Sequence, residues 1–74
     1  MNLHIGQVLE FVEPATTSDG KTVAKGTRVR VGHIMTEVSE PNVTVVILGQ
    51  DKTETLVVKR HLLTVHCREI KRAP

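Results

Sequence analysis

The sequence is nearly without aromatic residues, since it contains one Phe and neither Tyr nor Trp. Proteins that bind single-stranded nucleic acid usually stack bases on aromatic rings, and grooves for proline-rich peptides are lined with such rings. The composition therefore argues against both of these binding modes.

Cysteine and long apolar segments are also scarce. Cys67 is the single cysteine, which excludes an internal disulfide and a cysteine-only metal site, and suits a reducing compartment. We expect this thiol to be buried and unreactive. No apolar run approaches the ~18 residues of a membrane span, and the N-terminus lacks the basic and apolar regions of a secretion signal. The sequence thus predicts a cytoplasmic protein without a membrane partner.

The sequence contains no recognisable arrangement of catalytic or metal-binding residues. His66 and Cys67 are neighbours in a predicted strand, where they point to opposite faces, so they form neither a catalytic dyad nor, with His61, a zinc site. The sequence also lacks a nucleophile elbow and a phosphate-binding glycine loop. We predict a protein that is not an enzyme, with no catalytic residues, no metal, no cofactor and no small-molecule substrate.

What the chain does contain is a series of short strand patterns within 74 residues, the length of one small domain covering positions 1–74. The clearest pattern is a hairpin. Val43 to Leu48 is entirely apolar or β-branched, and Glu54 to Lys59 repeats that composition after a polar turn. Either Val57 or Val58 should point into the core.

Two earlier segments also have strand character. Gln7 to Val12 should place its odd-numbered residues in the core, with Phe11 as the largest of them. Thr27 to Met35 alternates valine with arginine, which predicts one buried and one exposed face. Gly32 favours a bulge that shifts this alternation by one residue and buries Ile34.

The connections have recognisable turn chemistry. Between the first two strands, Asp19-Gly20 favours a type I′ turn, which would fold the polar segment 13–26 into a small hairpin with Thr17-Ser18 opposite Lys21-Thr22. After the central hairpin, His61 to Thr64 predicts a single 3₁₀ turn. Val65 to Ile70 predicts the last strand, with Val65 and Cys67 facing inward.

This order of elements resembles the SH3-like small barrel. Five strands are separated by a long polar loop, a medium loop, a tight hairpin and one 3₁₀ turn. The resemblance implies an all-β fold in which the first half of the second strand shares a sheet with the fifth. The segments 43–49 and 65–70 are also similar to two strands of the carbon storage regulator family, small dimers that bind RNA, and this similarity implies that Arg68 contacts RNA.

The sequence supports two kinds of partner. The third strand is apolar on both faces, which one small core cannot cover, so we predict a non-enzymatic binding module or accessory subunit for protein–protein interaction, including a homodimer. The candidate interface residues are Val43, Val45, Val46 and Leu48.

The alternative is nucleic-acid binding through phosphate contacts. The net charge is only +2, but the basic residues are concentrated toward the C-terminal end. The candidate patch for an anionic partner consists of Arg28, Arg30, Lys59, Arg60, Arg68, Lys71 and Arg72.

Overall fold

The computed structural model describes residues 2–35 and 41–70. The fold is mostly β, as predicted, with one antiparallel sheet of five strands in the order β6-β5-β4-β1-β7 and a separate pair formed by β2 and β3. The elements are β1 (Val8–Phe11), β2 (Ala15–Thr16), β3 (Thr22–Val23), β4 (Arg28–Ile34), β5 (Asn42–Ile47), β6 (Thr55–Lys59), α1 (Arg60–His66) and β7 (Cys67–Glu69).

The hydrophobic core lies on one face of the five-stranded sheet. Side chains alternate between the two faces of a strand, so every second residue of the main strands points into it. Leu63 of α1 and Cys67 of β7 are buried in the same cluster. Each fully buried Val, Leu or Phe contributes roughly 1.5 to 3 kcal/mol. The core residues of β1, β4, β5 and β6 are Leu9, Phe11, Val29, Val31, Val43, Val45, Leu56 and Val58.

The predicted bulge at Gly32 is confirmed. The pairing of β4 with β5 shifts between Val31 and His33, which leaves His33 exposed and Ile34 packed against the core. A glycine is not required there, because a Cβ at position 32 would lie 3.5 Å from the carbonyl oxygen of Thr44, an ordinary contact.

The polar segment after β1 folds into a small hairpin, as expected, but its turn differs from the prediction. A type I′ turn needs positive φ at both central residues, whereas Gly20 has φ +83° and no described residue other than glycine has positive φ. The N–H of Gly20 donates to the carbonyl of Thr17 at 3.0 Å, and the N–H of Thr17 to that of Lys21 at 2.8 Å. The loop is therefore a type I turn closed by a left-handed glycine, and Thr17 rather than Ser18 lies opposite Lys21.

This β2-β3 hairpin contacts the edge of β6. The N–H of Ser18 donates to the carbonyl of Val57 at 2.9 Å, and the ammonium of Lys21 lies 3.7 Å from the carboxylate of Glu54. Val23 is buried in the core cluster. The hairpin is thus attached to the far edge of the sheet.

The prediction of a 3₁₀ turn before the last strand is wrong. α1 is an α-helix of seven residues, held at its start by the N–H of Arg60 donating to the carbonyl of Pro41 at 3.0 Å. The helical period turns Leu63 into the core and leaves Val65 52% exposed, so Val65 is not an inward strand residue. The last strand begins only at Cys67, which is buried as expected.

The predicted central hairpin is confirmed. Its two strands pair as β5 and β6, and residues 48–54 connect them. The medium loop expected after the second strand, at residues 36–42, falls largely outside the described residues.

Candidate functional site

The candidate site lies on the face of the five-stranded sheet opposite to the core, at the end formed by β1, β7, the start of β4 and the end of β5, and we call this end of the sheet the outer face. The register joins its side chains across neighbouring strands. Val8 pairs with Arg30 and Arg30 with Val46, while Glu10 pairs with both Arg28 and Arg68. Two residues extend it just beyond the strand ends. The outer face thus consists of Val8, Glu10, Arg28, Arg30, Val46, Leu48, Arg68 and Ile70.

Glu10 is the central acidic group of this face and binds two arginines. Its Oε1 accepts hydrogen bonds from Nε of Arg68 at 2.9 Å and lies 2.7 Å from Nη2 of the same residue. Its Oε2 accepts one from Nε of Arg28 at 3.3 Å. The hydrogen bond from Arg68 lowers the pKa of Glu10, assisted by Arg28 and opposed by desolvation. Glu10 is therefore ionised at neutral pH and fixes two guanidinium groups against the sheet.

Arg30 is placed differently from the other two arginines. It is exposed between Val8 on β1 and Val46 on β5. The side chain of Arg30 makes no hydrogen bond and no ion pair with any residue in 2–35 and 41–70. The five N–H donors of its guanidinium are therefore not used by any described residue.

Apolar side chains are interleaved with these charges. Val8, Leu48 and Ile70 are half-buried and line two neighbouring shallow depressions on the surface. Arg28 borders one depression and Arg30 the other. The outer face thus offers apolar contact area next to hydrogen-bond donors, which is the composition that protein interfaces favour.

The predicted basic patch is only partly assembled. Arg28, Arg30 and Arg68 share the outer face, but Lys59 pairs with Asn42, four residues along β5 from the partner of Arg30. That offset is about 13 Å at the rise of a strand. Arg60 is the first residue of α1, so Lys59 and Arg60 do not extend this surface. Lys71 and Arg72 lie outside the described residues.

The predicted interface is half wrong. Val43 and Val45 are fully buried in the core of this chain, so they are not available to a partner. Their alternating neighbour Val46 belongs to the outer face, as does Leu48. The sequence showed that β5 is apolar on both sides but not which side its own core uses.

Sequence reasoning missed the role of Glu10. The signal was available, since Glu10 is an even-numbered residue of a strand whose odd-numbered residues are apolar, and it therefore shares the outward face with residues of opposite charge on neighbouring strands.

A second polar contact lies at the start of the last strand. Nδ1 of His66 contacts Oε1 of Glu13, and the N–H of Val12 donates to the carbonyl of His66 at 2.8 Å. Val12 precedes Glu13 and Val65 precedes His66 in the sequence, and both valines are exposed. The contact joins the end of α1 to the segment after β1, which is a structural role.

The thiol of Cys67 is buried, which bears on its reactivity. Burial raises the pKa of the Cys67 thiol to about 12, so it is a poor nucleophile at neutral pH. No group of three or more His, Cys, Asp or Glu side chains among the described residues is placed to hold a metal ion.

Comparisons with protein-family models, with curated proteins and with solved structures gave no significant match. None of the helical residues that the structure describes forms a segment long and apolar enough to cross a bilayer.

Proposed function

We propose that this chain is a small non-enzymatic binding module or accessory subunit whose outer face binds another protein. The observation that carries this proposal is the mixture of half-buried apolar side chains and arginines on the sheet face that the core does not use. Arginine and apolar residues are enriched at the centres of protein interfaces.

The strand order supports assigning the sheet to the SH3-like class. β4 pairs with β1 through its first half and continues past the bulge along β5, and β7 joins the other side of β1. The SH3-like resemblance implies that the first half of the second strand shares a sheet with the fifth, and here β4 and β7 both pair with β1. The β2-β3 hairpin occupies the long loop after the first strand.

Nucleic-acid binding is the second candidate, favoured by the three arginines on one face. Two of them already bind Glu10, and Lys59 and Arg60 lie elsewhere. A phosphate-binding surface would show affinity for duplex DNA or RNA that falls steeply between ~50 and ~200 mM salt. Fluorescence anisotropy with both nucleic acids measures this directly, and salt-dependent binding that Arg28→Ala/Arg30→Ala abolishes would favour this candidate.

The test of the proposed protein-binding face is affinity capture from a lysate of the native host after RNase and DNase treatment, read by mass spectrometry. Leu48→Lys places a charge on the outer face and should abolish retention of a specific protein. Val65→Lys is the matched control, because Val65 is exposed on α1 and not on the outer face.

The control variant should retain the same protein as the wild type. Equal capture by the wild type and both variants would refute a role for the outer face. Capture that disappears with nuclease treatment would favour the nucleic-acid candidate. Sedimentation of the purified chain at high and low concentration tests whether the partner is a second copy.

A further inference from the structure

We infer that the segment bound by the outer face is acidic and amphipathic, with carboxylates on the arginines and apolar side chains between them. This inference rests on the proposed function, because it names the chemistry of the partner at that same face. It also predicts a specific role for Glu10 as a competitor of the partner.

The balance of charge on the outer face is positive. It carries three arginines and one glutamate. Glu69 pairs with Leu9 and lines the depression beside Arg30, so with it the surface carries three arginines and two glutamates, and its net charge is still positive. Two copies of the same face would bring like charges together, which disfavours a homodimer through this face and favours an acidic partner.

The arginines retain most of their donors. A guanidinium has five N–H groups. Arg28 uses its Nε on Glu10, and Arg68 uses Nε and Nη2. Arg30 uses none on any described residue. Carboxylates bind guanidinium groups through two parallel hydrogen bonds, so each arginine is suited to one acidic side chain.

The spacing of the arginines fits an extended partner. Arg28 and Arg30 are two residues apart on the same face of β4, a separation of about 7 Å. Alternate residues of an extended peptide have the same spacing. An acid at every second position would therefore meet successive arginines.

The apolar neighbours distinguish a peptide from a phosphate backbone. Arg30 lies between Val8 and Val46, and Leu48 and Ile70 line the depression beside it. Desolvating these side chains is favourable only against an apolar group. A sugar-phosphate chain would supply the negative charge but not that contact.

Glu10 should oppose the partner, because its carboxylate holds the same guanidinium donors and repels other carboxylates. Replacing it by Gln removes one negative charge and keeps the side chain's shape. We therefore expect Glu10→Gln to bind an acidic segment more tightly and with a steeper dependence on salt.

The experiment is selection of random 12-residue peptides from a display library on the immobilised full chain. The enriched peptides should carry an excess of Asp and Glu over Lys and Arg, together with apolar residues. An enriched set without an acidic excess, or no enrichment at all, would overturn the inference.

The most enriched peptide is then labelled and measured by fluorescence anisotropy. Arg30→Glu should weaken binding by at least about tenfold, since it removes a charge-assisted hydrogen bond and adds a like charge. Arg60→Glu makes the same change of net charge at the exposed start of α1 and should change binding by less than about twofold. Arg30→Gln is the milder variant, with an intermediate loss expected, and thermal melts establish that each variant is folded.

The outcomes separate the inference from the function on which it rests. If Leu48→Lys abolishes peptide binding while Arg30→Glu and Glu10→Gln have no effect, the face binds proteins but the acidic chemistry is wrong. If Leu48→Lys also has no effect, the proposed function fails as well. Duplex DNA could also bind more tightly than the selected peptides and lose affinity in Arg30→Glu. In that case the ligand of this face would be a nucleic acid rather than an acidic peptide.

Discussion

Replacing Val58 by Ala is the sharpest test of how this fold is stabilised. Val58 is fully buried and pairs with Val43 across β5 and β6. Two methyl groups are removed, and at ~0.8 kcal/mol for each buried carbon the lost transfer free energy is about 1.6 kcal/mol. A residual cavity adds to this loss, so the free energy of unfolding should fall by roughly 2 to 3 kcal/mol.

The measurement is urea unfolding of the full chain, followed by circular dichroism and analysed for both midpoint and slope. A domain of this length has a total stability of roughly 4 to 11 kcal/mol, so the expected loss is a large and easily resolved fraction of it.

Val57→Ala is the matched control for this prediction. Val57 is the next residue of β6, is only half-buried and is on the opposite face of the strand. Its replacement should cost clearly less, under about 1 kcal/mol. Equal losses for the two variants, or a larger loss at Val57, would refute the assignment of the core face of β6.

Three further predictions follow from local features. The pKa of Glu10 in the folded state is below its ordinary 4.5, so its ion pairs stabilise the fold above pH 4.5 and are lost as the pH falls through the folded-state pKa. Glu10→Gln should therefore destabilise the chain more at about pH 7 than at about pH 3. Urea melts at both pH values test this, and an equal loss of stability would contradict it. Gly26 has φ +90°, whereas a Cβ at Gly32 has room. Gly26→Ala should therefore lower the free energy of unfolding by ~1 kcal/mol or more, and Gly32→Ala by less than about 0.5 kcal/mol. A larger loss at Gly32 than at Gly26 would contradict these backbone conformations. With its thiol pKa at about 12 instead of 9.0, Cys67 should react about a thousandfold more slowly with iodoacetamide at pH 8 in the native than in the urea-unfolded chain, and similar rates would show that the thiol is not buried.

The strands could be predicted from the sequence because each has a periodicity that depends on nearby residues only. The alternation of Val29 and Val31 with arginines placed β4 correctly, and the glycine after Val31 located the bulge. The segment at Arg60–His66 was misread because a short apolar run has no clear period, and the contact of Arg60 with Pro41 that holds the helix depends on the tertiary fold.

The candidate site was harder to predict than the strands. The three arginines could be assigned to exposed positions, but the sequence does not say which strands are neighbours. The order β4-β1-β7 places Glu10 between Arg28 and Arg68. That arrangement needs pairings between residues 18 and 58 positions apart, and no local pattern encodes such separations.

The attachment of the β2-β3 hairpin to β6 bears on the behaviour of the chain at high concentration. A strand at the edge of a sheet presents unpaired N–H and C=O groups that can recruit a strand from another molecule. The N–H of Ser18 occupies the carbonyl of Val57 on that edge, and the ion pair of Lys21 with Glu54 adds charge beside it. The polar hairpin therefore covers the middle of this edge and should hinder pairing with a strand of another molecule there.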